Sequence, residues 1–271
     1  MDYSEARAYI ESAAKFGSKL GLDTIKALCA RLGDPQDKLP IVHVAGTNGK
    51  GSTCAMISSI LQKAGHKPGL FLSPHMAEHR DSLFVSGEMM PETAFAETMT
   101  AVKAAADALA REGIYATEFE LLTAAAFVWF CRSGCDIAVL ETGLGGRLDA
   151  TNVVRATRVS VITAISMDHM QYLGDTLEKI AREKCGIIKP DGVTVTSAGQ
   201  PEEALSVIKA AAEERGNDIV IPDPGQTGYT DFGLDGIMIR YRGIEARLRL
   251  SGRHQAGNAA TAIEAARALR E

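Results

Sequence analysis

The feature that most constrains the fold is a strand, a glycine-rich turn and a helix that follow one another directly. Ile41 and Val42 begin a short apolar strand, "HVAGTNGKGST" (His43–Thr53) forms the turn, and "CAMISSILQKAG" continues as a helix. A short strand that is apolar throughout is typical of a sheet covered on both faces. The turn puts backbone N–H groups and the positive end of a helix at one point, and such a point favours phosphate binding.

Strands and helices alternate along most of the remaining chain. After N-terminal helices that end at Gly33 and Pro35, the segments "CDIAVLE", "RVSVITAIS", "VTVTSA" and "DIVIP" are predicted as strands. Helices are predicted around residues 91–112 and in "ELLTAAAFVWFCRSG", "DTLEKIAREKCGIIKP", "PEEALSVIKAAAEERG" and the final "NAATAIEAARALRE". Period-two segments with interspersed glycines at about 220–252 predict a small antiparallel meander. The predicted class is α/β: a mostly parallel sheet flanked by helices, with a P-loop and a small antiparallel β appendage.

Charge and composition narrow the class of ligand. The chain has 271 residues and a formal net charge of -5 without a long basic run, so general nucleic-acid binding is not expected. The longest apolar stretches are too short for a membrane span, so we expect no membrane partner. Five scattered cysteines contain no Cys-x-x-Cys pair, which favours free thiols and a cytoplasmic location.

The residues of the turn add phosphate chemistry to this geometry. Lys50 supplies a positive charge for outer phosphates, and Ser52 or Thr53 can offer a hydroxyl to magnesium. The spacing differs from the usual P-loop, which would need glycine at Val44 and a hydroxyl at Gly51. The alternative is a structural glycine turn beside an exposed lysine. The register of strand, turn, lysine, hydroxyl and helix favours phosphate binding.

Several motifs together resemble a known family. "HVAGTNGKGST" is similar to the nucleotide loop of the Mur ligase superfamily, and glycine between lysine and serine resembles its folylpolyglutamate synthase/dihydrofolate synthase branch. "SPH", "FE", "ETGLGGRLDATN", "DH", "EKCGIIK" and "GRHQAGNAATA" follow in the order of the family. The resemblance implies a Mur ligase central-domain fold for residues 1–271. It also implies a monomer and a C-terminal glutamate-binding domain, which we expect to lie outside these 271 residues.

The resemblance implies an ATP site in the turn and in the last helix. Asn258 would contact adenine, since an amide can both donate to and accept from a purine edge; an ordinary asparagine at a helix start is the alternative. Lys50 would also be catalytic. The implied ATP-binding residues are Gly46, Thr47, Asn48, Gly49, Lys50, Gly51, Ser52, Thr53 and Asn258.

Three side chains at strand ends are candidates for binding magnesium. Glu141 ends one strand, and Ser73 and His169 follow two others, at the sheet edge where open α/β proteins bind ligands. Ser73 and Glu141 offer the hard oxygens that Mg²⁺ prefers, whereas His169 could equally be a hydrogen-bonded loop residue. The resemblance implies that all three hold metal and that His169 is also catalytic.

Lys184 gains a role only through the resemblance. On a predicted helix, a lysine is usually a solvated surface residue. The "EKxGIIK" motif implies that Lys184 is carbamylated, which would turn a cation into an anion able to hold a second Mg²⁺. Lys189 stands close by and is not the residue that the motif indicates.

A substrate pocket for a pterin is implied by four further matches. An aromatic ring and a nearby carboxylate could stack on and hydrogen-bond to a pterin, although core packing explains the aromatic residue as well. The matching residues are Phe119, Glu120, Leu148 and Asp149.

One segment departs from the family. Where relatives carry "ERI…NG", this chain has "DSLFVSG", with Asp81, Ser82 and Ser86 replacing glutamate, arginine and asparagine. The departure leaves the pterin specificity open.

The implied activity is an ATP-dependent amide ligation. L-Glutamate would be added to dihydropteroate, to a reduced folate, or to both, through an acyl phosphate and with Mg²⁺ as cofactor. One alternative is a murein-precursor ligase that adds another amino acid, against which Gly51 and "GLGGRLDATN" argue. The other is a module that binds Mg-ATP without catalysing ligation.

Overall fold

The computed structural model describes residues 1–17 and 19–269. Its helices are α1 (Tyr3–Ser12), α2 (Asp23–Arg31), α3 (Lys50–Lys63), α4 (Glu92–Ala110), α5 (Glu118–Arg132), α6 (Met170–Leu173), α7 (Leu177–Cys185), α8 (Glu202–Glu214) and α9 (His254–Ala268). Its strands are β1 (Ile41–Ala45), β2 (Pro68–Phe71), β3 (Leu83–Val85), β4 (Glu88–Met89), β5 (Ile137–Glu141), β6 (Val159–Ile162), β7 (Val193–Thr196), β8 (Asp218–Val220), β9 (Thr227–Asp231), β10 (Ile237–Tyr241) and β11 (Ile244–Leu248).

The main sheet has eight strands in the order β4-β3-β2-β5-β1-β6-β7-β8. In this order the six strands β2, β5, β1, β6, β7 and β8 pair in parallel with their neighbours. Strands β3 and β4 extend the sheet beyond β2 as an antiparallel edge. Every residue of the central strand β1 is buried, because helices cover both faces of the sheet. The predicted mostly parallel sheet is confirmed.

Apolar side chains from the helices form the core on both faces. Residues of α1, α2, α4 and α5, including Ile10, Leu28 and Phe127, pack on one face. Helices α3 and α9 meet the sheet on the other face, with Ile57 and Ile263 in the shared cluster. These layers leave the carboxyl ends of the parallel strands as one edge on which loops can meet.

The predicted antiparallel meander is also confirmed. Strands β9, β10 and β11 form a three-stranded sheet, and alternate β10 residues Ile237, Ile239 and Tyr241 are buried against α9. The Tyr241 hydroxyl donates a hydrogen bond to Glu264 of α9. The meander therefore supports the helix that carries Asn258.

One local prediction needs correction, and one pair of strands was missed. The helix predicted over "DTLEKIAREKCGIIKP" ends at Cys185, and the next residue, Gly186, packs directly on the backbone of Arg147. The pair β3–β4 was missed because its strands have only three and two residues. Predicted helical positions at Ser18, Arg270 and Glu271 lie outside the described residues.

The described helices include no candidate membrane span. Within residues 1–17 and 19–269, no helix combines the length and the apolar character that crossing a bilayer requires.

Candidate active site

The candidate site lies where the carboxyl ends of β2, β5, β1 and β6 stand side by side. A glycine turn, residues 46–49, leaves β1 and enters α3. Gly46 and Gly49 have positive φ angles of 156° and 84°, which few L side chains adopt. A Cβ at Gly46 would overlap Thr163, and a Cβ at Gly49 would lie 2.5 Å from Asn258 Oδ1. The turn needs glycine at both positions for conformation and for space.

Hydrogen bonds fasten the glycine turn to the segment after β6. The backbone N–H groups of Thr47 and Asn48 both donate to Ala164 O, at 2.9 and 3.2 Å. The Thr47 hydroxyl donates to Ser166 O, and Asn48 Nδ2 donates to Ser166 Oγ. Because these two N–H groups are engaged, an anion at this point would face the first turn of α3 and the side chain of Lys50.

Glu141 places a buried carboxylate beside the first turn of α3. The residue is 5% exposed, and its Oε2 accepts the Ser73 backbone N–H at 3.0 Å. A Cβ at Gly51 would lie 3.2 Å from the same oxygen, so the carboxylate packs directly against α3. Burial raises the pKa of Glu141, whereas the N–H groups of Ser73 and Gly51 and the charge of Lys50 oppose that rise.

The side chain of Lys184 is buried beside the glycine turn. The expectation that a lysine on a helix is solvated at the surface is therefore wrong for this residue. The side chain is 3% exposed, and its Nζ donates to Gly46 O at 2.7 Å. Burial and the neighbouring charge of Lys50 lower the pKa of Lys184 from 10.5 to about 8. A lysine with such a pKa carries a substantial fraction of neutral amine near neutrality.

Close backbone packing holds Lys184 in this position. A Cβ at Gly146 would lie 2.7 Å from Lys184 O, and a Cβ at Gly186 would overlap Arg147. Arg147 N donates to Glu183 O at 2.7 Å, and Asn152 Nδ2 donates to Gly186 O at 3.1 Å. The "GLGGRLDATN" and "EKCGIIK" motifs therefore form one packed unit that carries Lys184.

His169 lies at the same edge, and among the described residues no hydrogen bond or ion pair joins its side chain to the other predicted metal ligands. It precedes α6 with a positive φ of 45°, and its side chain is 54% exposed. Within the described part of the chain, its side chain has an ion-pair partner only in Asp168, with Nε2 3.6 Å from Oδ2. The structure brings Ser73 and Glu141 together and leaves His169 beside Asp168.

The start of α9 covers the first turn of α3. Asn258 is buried, donates to Gln255 Oε1 at 3.0 Å, and faces Gly49 through its Oδ1. Gln255 Nε2 also donates to Ser52 Oγ, at 3.4 Å. Asn258 therefore belongs to the same site as the glycine turn, although more than 200 residues separate the two in sequence.

The four predicted pocket residues differ in what their side chains do. Phe119 packs against Phe71, with ring centroids 5.8 Å apart, and a Cβ at Gly143 would lie 2.8 Å from its ring. Leu148 is half-buried. Phe119 thus lies beside the segment that follows Glu141.

The two predicted pocket carboxylates are held by local hydrogen bonds. Glu120 Oε2 accepts the backbone N–H and the hydroxyl of Thr117, forming a capping box at the start of α5. Asp149 accepts the backbone N–H groups of Leu144 and Thr151. Burial raises the pKa of both carboxyl groups. Direct substrate contact by either stays a prediction that this geometry does not favour.

Comparison with known proteins agrees with the architecture. The Mur ligase middle domain model matches residues 44–266. The chain belongs to the Mur ligase family. Its similarity to a Bacillus subtilis dihydrofolate synthase/folylpolyglutamate synthase is 40% identity over 97% of this chain and 63% of the relative. The branch indicated by the sequence motifs is confirmed.

Solved structures of this Mur ligase branch superpose closely on the chain. A structure described as "FPGS-AMPPCP complex" matches with a TM-score of 0.90 and 32% identity, over 99% of this chain and 67% of that one. Another, described as "FPGS-AMPPCP-folate complex", matches with a TM-score of 0.89 and 31% identity, over the same shares. The chain thus spans slightly less than two thirds of the Bacillus relative and about two thirds of these structures.

Sequence reasoning missed the residues that position this Mur ligase site. Thr163, Ala164 and Ser166 fix the glycine turn, and Gln255 joins α9 to α3. Small polar residues after a strand carry little signal of their own. For Gln255 the sequence did offer a signal, because the residue lies in the family motif "GRHQAGNAATA" shortly before Asn258.

Proposed function

We propose that the protein is an ATP-dependent ligase that adds L-glutamate to dihydropteroate, a reduced folate, or both. The observation that carries this proposal is the meeting of Lys50, Glu141 and Lys184 around one glycine turn. A phosphate loop, a buried carboxylate and a lysine of lowered pKa suit phosphoryl transfer to a carboxylate. The names of the relatives supply the acceptor and the amino acid.

ATP would lie with its phosphates on the first turn of α3. Lys50 would pair with the outer phosphates, and backbone N–H groups at the helix start would add hydrogen bonds. The engagement of Thr47 and Asn48 with Ala164 makes them supports of the turn rather than phosphate donors. Asn258, beside Gly49, would contact the adenine.

The residues present fit a magnesium ion. Glu141 is a buried carboxylate, and the described residues include no lysine, arginine or histidine in ion-pair contact with it, so a cation would offset its burial cost. We propose that Ser73, Glu141 and His169 hold Mg²⁺ and that carbamylated Lys184 provides a further anionic ligand. When bound, the metal would neutralise charge on the phosphates.

The reaction has two balanced steps. An acceptor carboxylate oxygen attacks the γ-phosphorus of ATP, so that ADP leaves and an acyl phosphate forms. The neutral amine of L-glutamate then attacks the acyl carbon, phosphate leaves with the oxygen it gained and with the proton that the nitrogen loses, and an amide remains. The residues of the chain contribute by holding the phosphates in line and by balancing their charge, with Lys50 nearest the transferred group.

We propose that the acceptor binds against Phe119 and Leu148. An aromatic ring beside Gly143 offers a stacking surface for a pterin. Ser82, at the family's arginine position, is fully buried, and Asp81 accepts the backbone N–H groups of Met76 and Ala77. We infer that neither contacts substrate. From the same resemblance we propose a monomer that acts on small molecules in the cytoplasm.

A substrate panel tests the proposal. The native protein, at the length the cell makes, is incubated with Mg-ATP, L-glutamate and either dihydropteroate or tetrahydrofolate, and products are analysed by mass spectrometry. We expect a product one glutamyl unit heavier in at least one tube. Binding of Mg-ATP without extension of either acceptor would contradict the proposal and direct attention to other amino acids and acceptors.

A further inference from the structure

A second cluster of metal-binding side chains lies beside the candidate active site and uses none of its residues. His75, His79 and Glu118 each offer one donor atom, and these three atoms lie within 4.8 Å of one another. His75 follows β2 by a few residues, His79 begins a short 3₁₀ turn, and Glu118 is the first residue of α5. Two segments that are distant in sequence, the loop after β2 and the start of α5, thus converge on one point.

The geometry of the cluster is close to that of a metal site. His79 Nε2 and Glu118 Oε1 are 3.1 Å apart, and the rings of His75 and His79 are 4.6 Å apart between centroids. Ligands of a tetrahedral zinc ion at about 2.0–2.1 Å are separated by about 3.3 Å. One pair already has this spacing. The third donor needs a shift of at most about 1.5 Å, which a side-chain rotation of half-buried His75 can provide.

The backbone around the cluster is preorganised. The Asp81 carboxylate accepts the N–H groups of Met76, Ala77 and Glu78 at 2.9, 2.7 and 3.0 Å, which fixes the loop between the two histidines. A fixed loop reduces the ordering cost of bringing ligands together.

A simple ion pair between His79 and Glu118 explains only part of the arrangement. It does not account for the second imidazole, whose ring is tilted by 44° against the first. A cation shared by the two imidazoles and the carboxylate accounts for their convergence.

We propose that His75, His79 and Glu118 bind one divalent transition-metal ion, of the zinc class, independently of the magnesium site. Two imidazoles and one carboxylate form the ligand set of open zinc sites, which leave a fourth position for water or another ligand. Magnesium prefers oxygen ligands and would not compete well here. A bound ion would link the loop that carries Ser73 to the helix that carries Phe119.

Calorimetric titration tests this site. Zn²⁺ is titrated into the full chain in the presence of excess Mg²⁺, which occupies oxygen-rich sites. The variants are His75→Gln and Glu118→Gln, with His66→Gln as a matched control, since His66 is an exposed histidine paired with Asp136. His79 is only 7% exposed at its side chain, so it is left intact to protect the fold. Thermal unfolding without metal confirms that each variant is folded.

We expect one Zn²⁺ per chain in the wild type and in His66→Gln, and at least about tenfold weaker binding in each cluster variant. Replacement of Zn²⁺ by Co²⁺ should give visible absorption bands that the His75→Gln change alters. Failure of the wild type to bind Zn²⁺ in excess Mg²⁺ would overturn the proposal. Equal affinity in the wild type and a folded His75→Gln variant would do the same.

Discussion

The strongest test of the site chemistry concerns Lys184. The pKa of this lysine is lowered from 10.5 to about 8 by burial and by the charge of Lys50. At pH 7 about 9% of the side chain is therefore neutral amine, against about 0.03% at the ordinary pKa, a gain of about 300-fold. Only the neutral amine reacts with CO₂, giving a carbamate and releasing one proton. We therefore expect Lys184 to be carbamylated in bicarbonate buffer near neutrality.

Labelled bicarbonate makes this prediction measurable. The protein is equilibrated with ¹³C-bicarbonate, and the carbamate carbon is observed by NMR in the wild type, Lys184→Arg and Lys189→Arg. Lys189 is a matched control because burial also lowers its pKa. We expect the signal in the wild type and the control and its loss in Lys184→Arg. ATP-dependent ligation should fall by about 10²-fold or more in Lys184→Arg, since an anion that organises charge is removed.

Two results would refute this reasoning. A carbamate signal that survives in Lys184→Arg would place the modification elsewhere. A wild type that shows no signal, yet keeps full ligation in CO₂-depleted buffer, would remove carbamylation from the mechanism.

Two further predictions concern the phosphate site and the packed loops. Lys50→Ala should abolish ATP turnover without lowering the unfolding midpoint. The control Lys63→Ala, at the exposed end of the same helix, should leave ATP turnover unchanged. Retained turnover in Lys50→Ala would exclude Lys50 from the mechanism. Gly186→Ala should lower the free energy of unfolding by about 2–3 kcal/mol, because the new methyl group meets the backbone of Arg147. A Cβ at Gly257 in α9 would meet open space, so Gly257→Ala should raise the free energy of unfolding by about 0.5–1 kcal/mol. Denaturant titration measures both variants, and equal stability of the two would contradict the packing described here.

The sequence predicted the fold and the placement of the glycine turn well. Apolar strands between amphipathic helices leave few alternatives to a mostly parallel sheet, and the register from β1 into α3 follows directly from residues 41–63. Family motifs also indicated that Lys50, Glu141 and Lys184 belong to one site, and the structure brings these three residues to the same sheet edge.

Side-chain partners were harder to predict because they depend on tertiary contacts. Glu120 accepts a hydrogen bond from the Thr117 backbone at the start of α5, and Asp149 accepts one from the Thr151 backbone in its own loop. Hydrophobic periodicity in the sequence does not predict either hydrogen bond. Lys184 was expected at the surface on spacing, because burial by a neighbouring glycine loop leaves no trace in its own helix. The cluster of His75, His79 and Glu118 also escaped detection, since the last residue is distant in the chain from the two histidines.

The central claim is that this site transfers the γ-phosphoryl group of ATP to an acceptor carboxylate. The most direct measurement uses an acceptor labelled with ¹⁸O in both carboxylate oxygens and follows the released phosphate by mass spectrometry during ligation by the native protein. The account predicts one ¹⁸O in the phosphate for each amide formed, because the acyl phosphate breaks at the carbon–oxygen bond. Amide formation with unlabelled phosphate would contradict it.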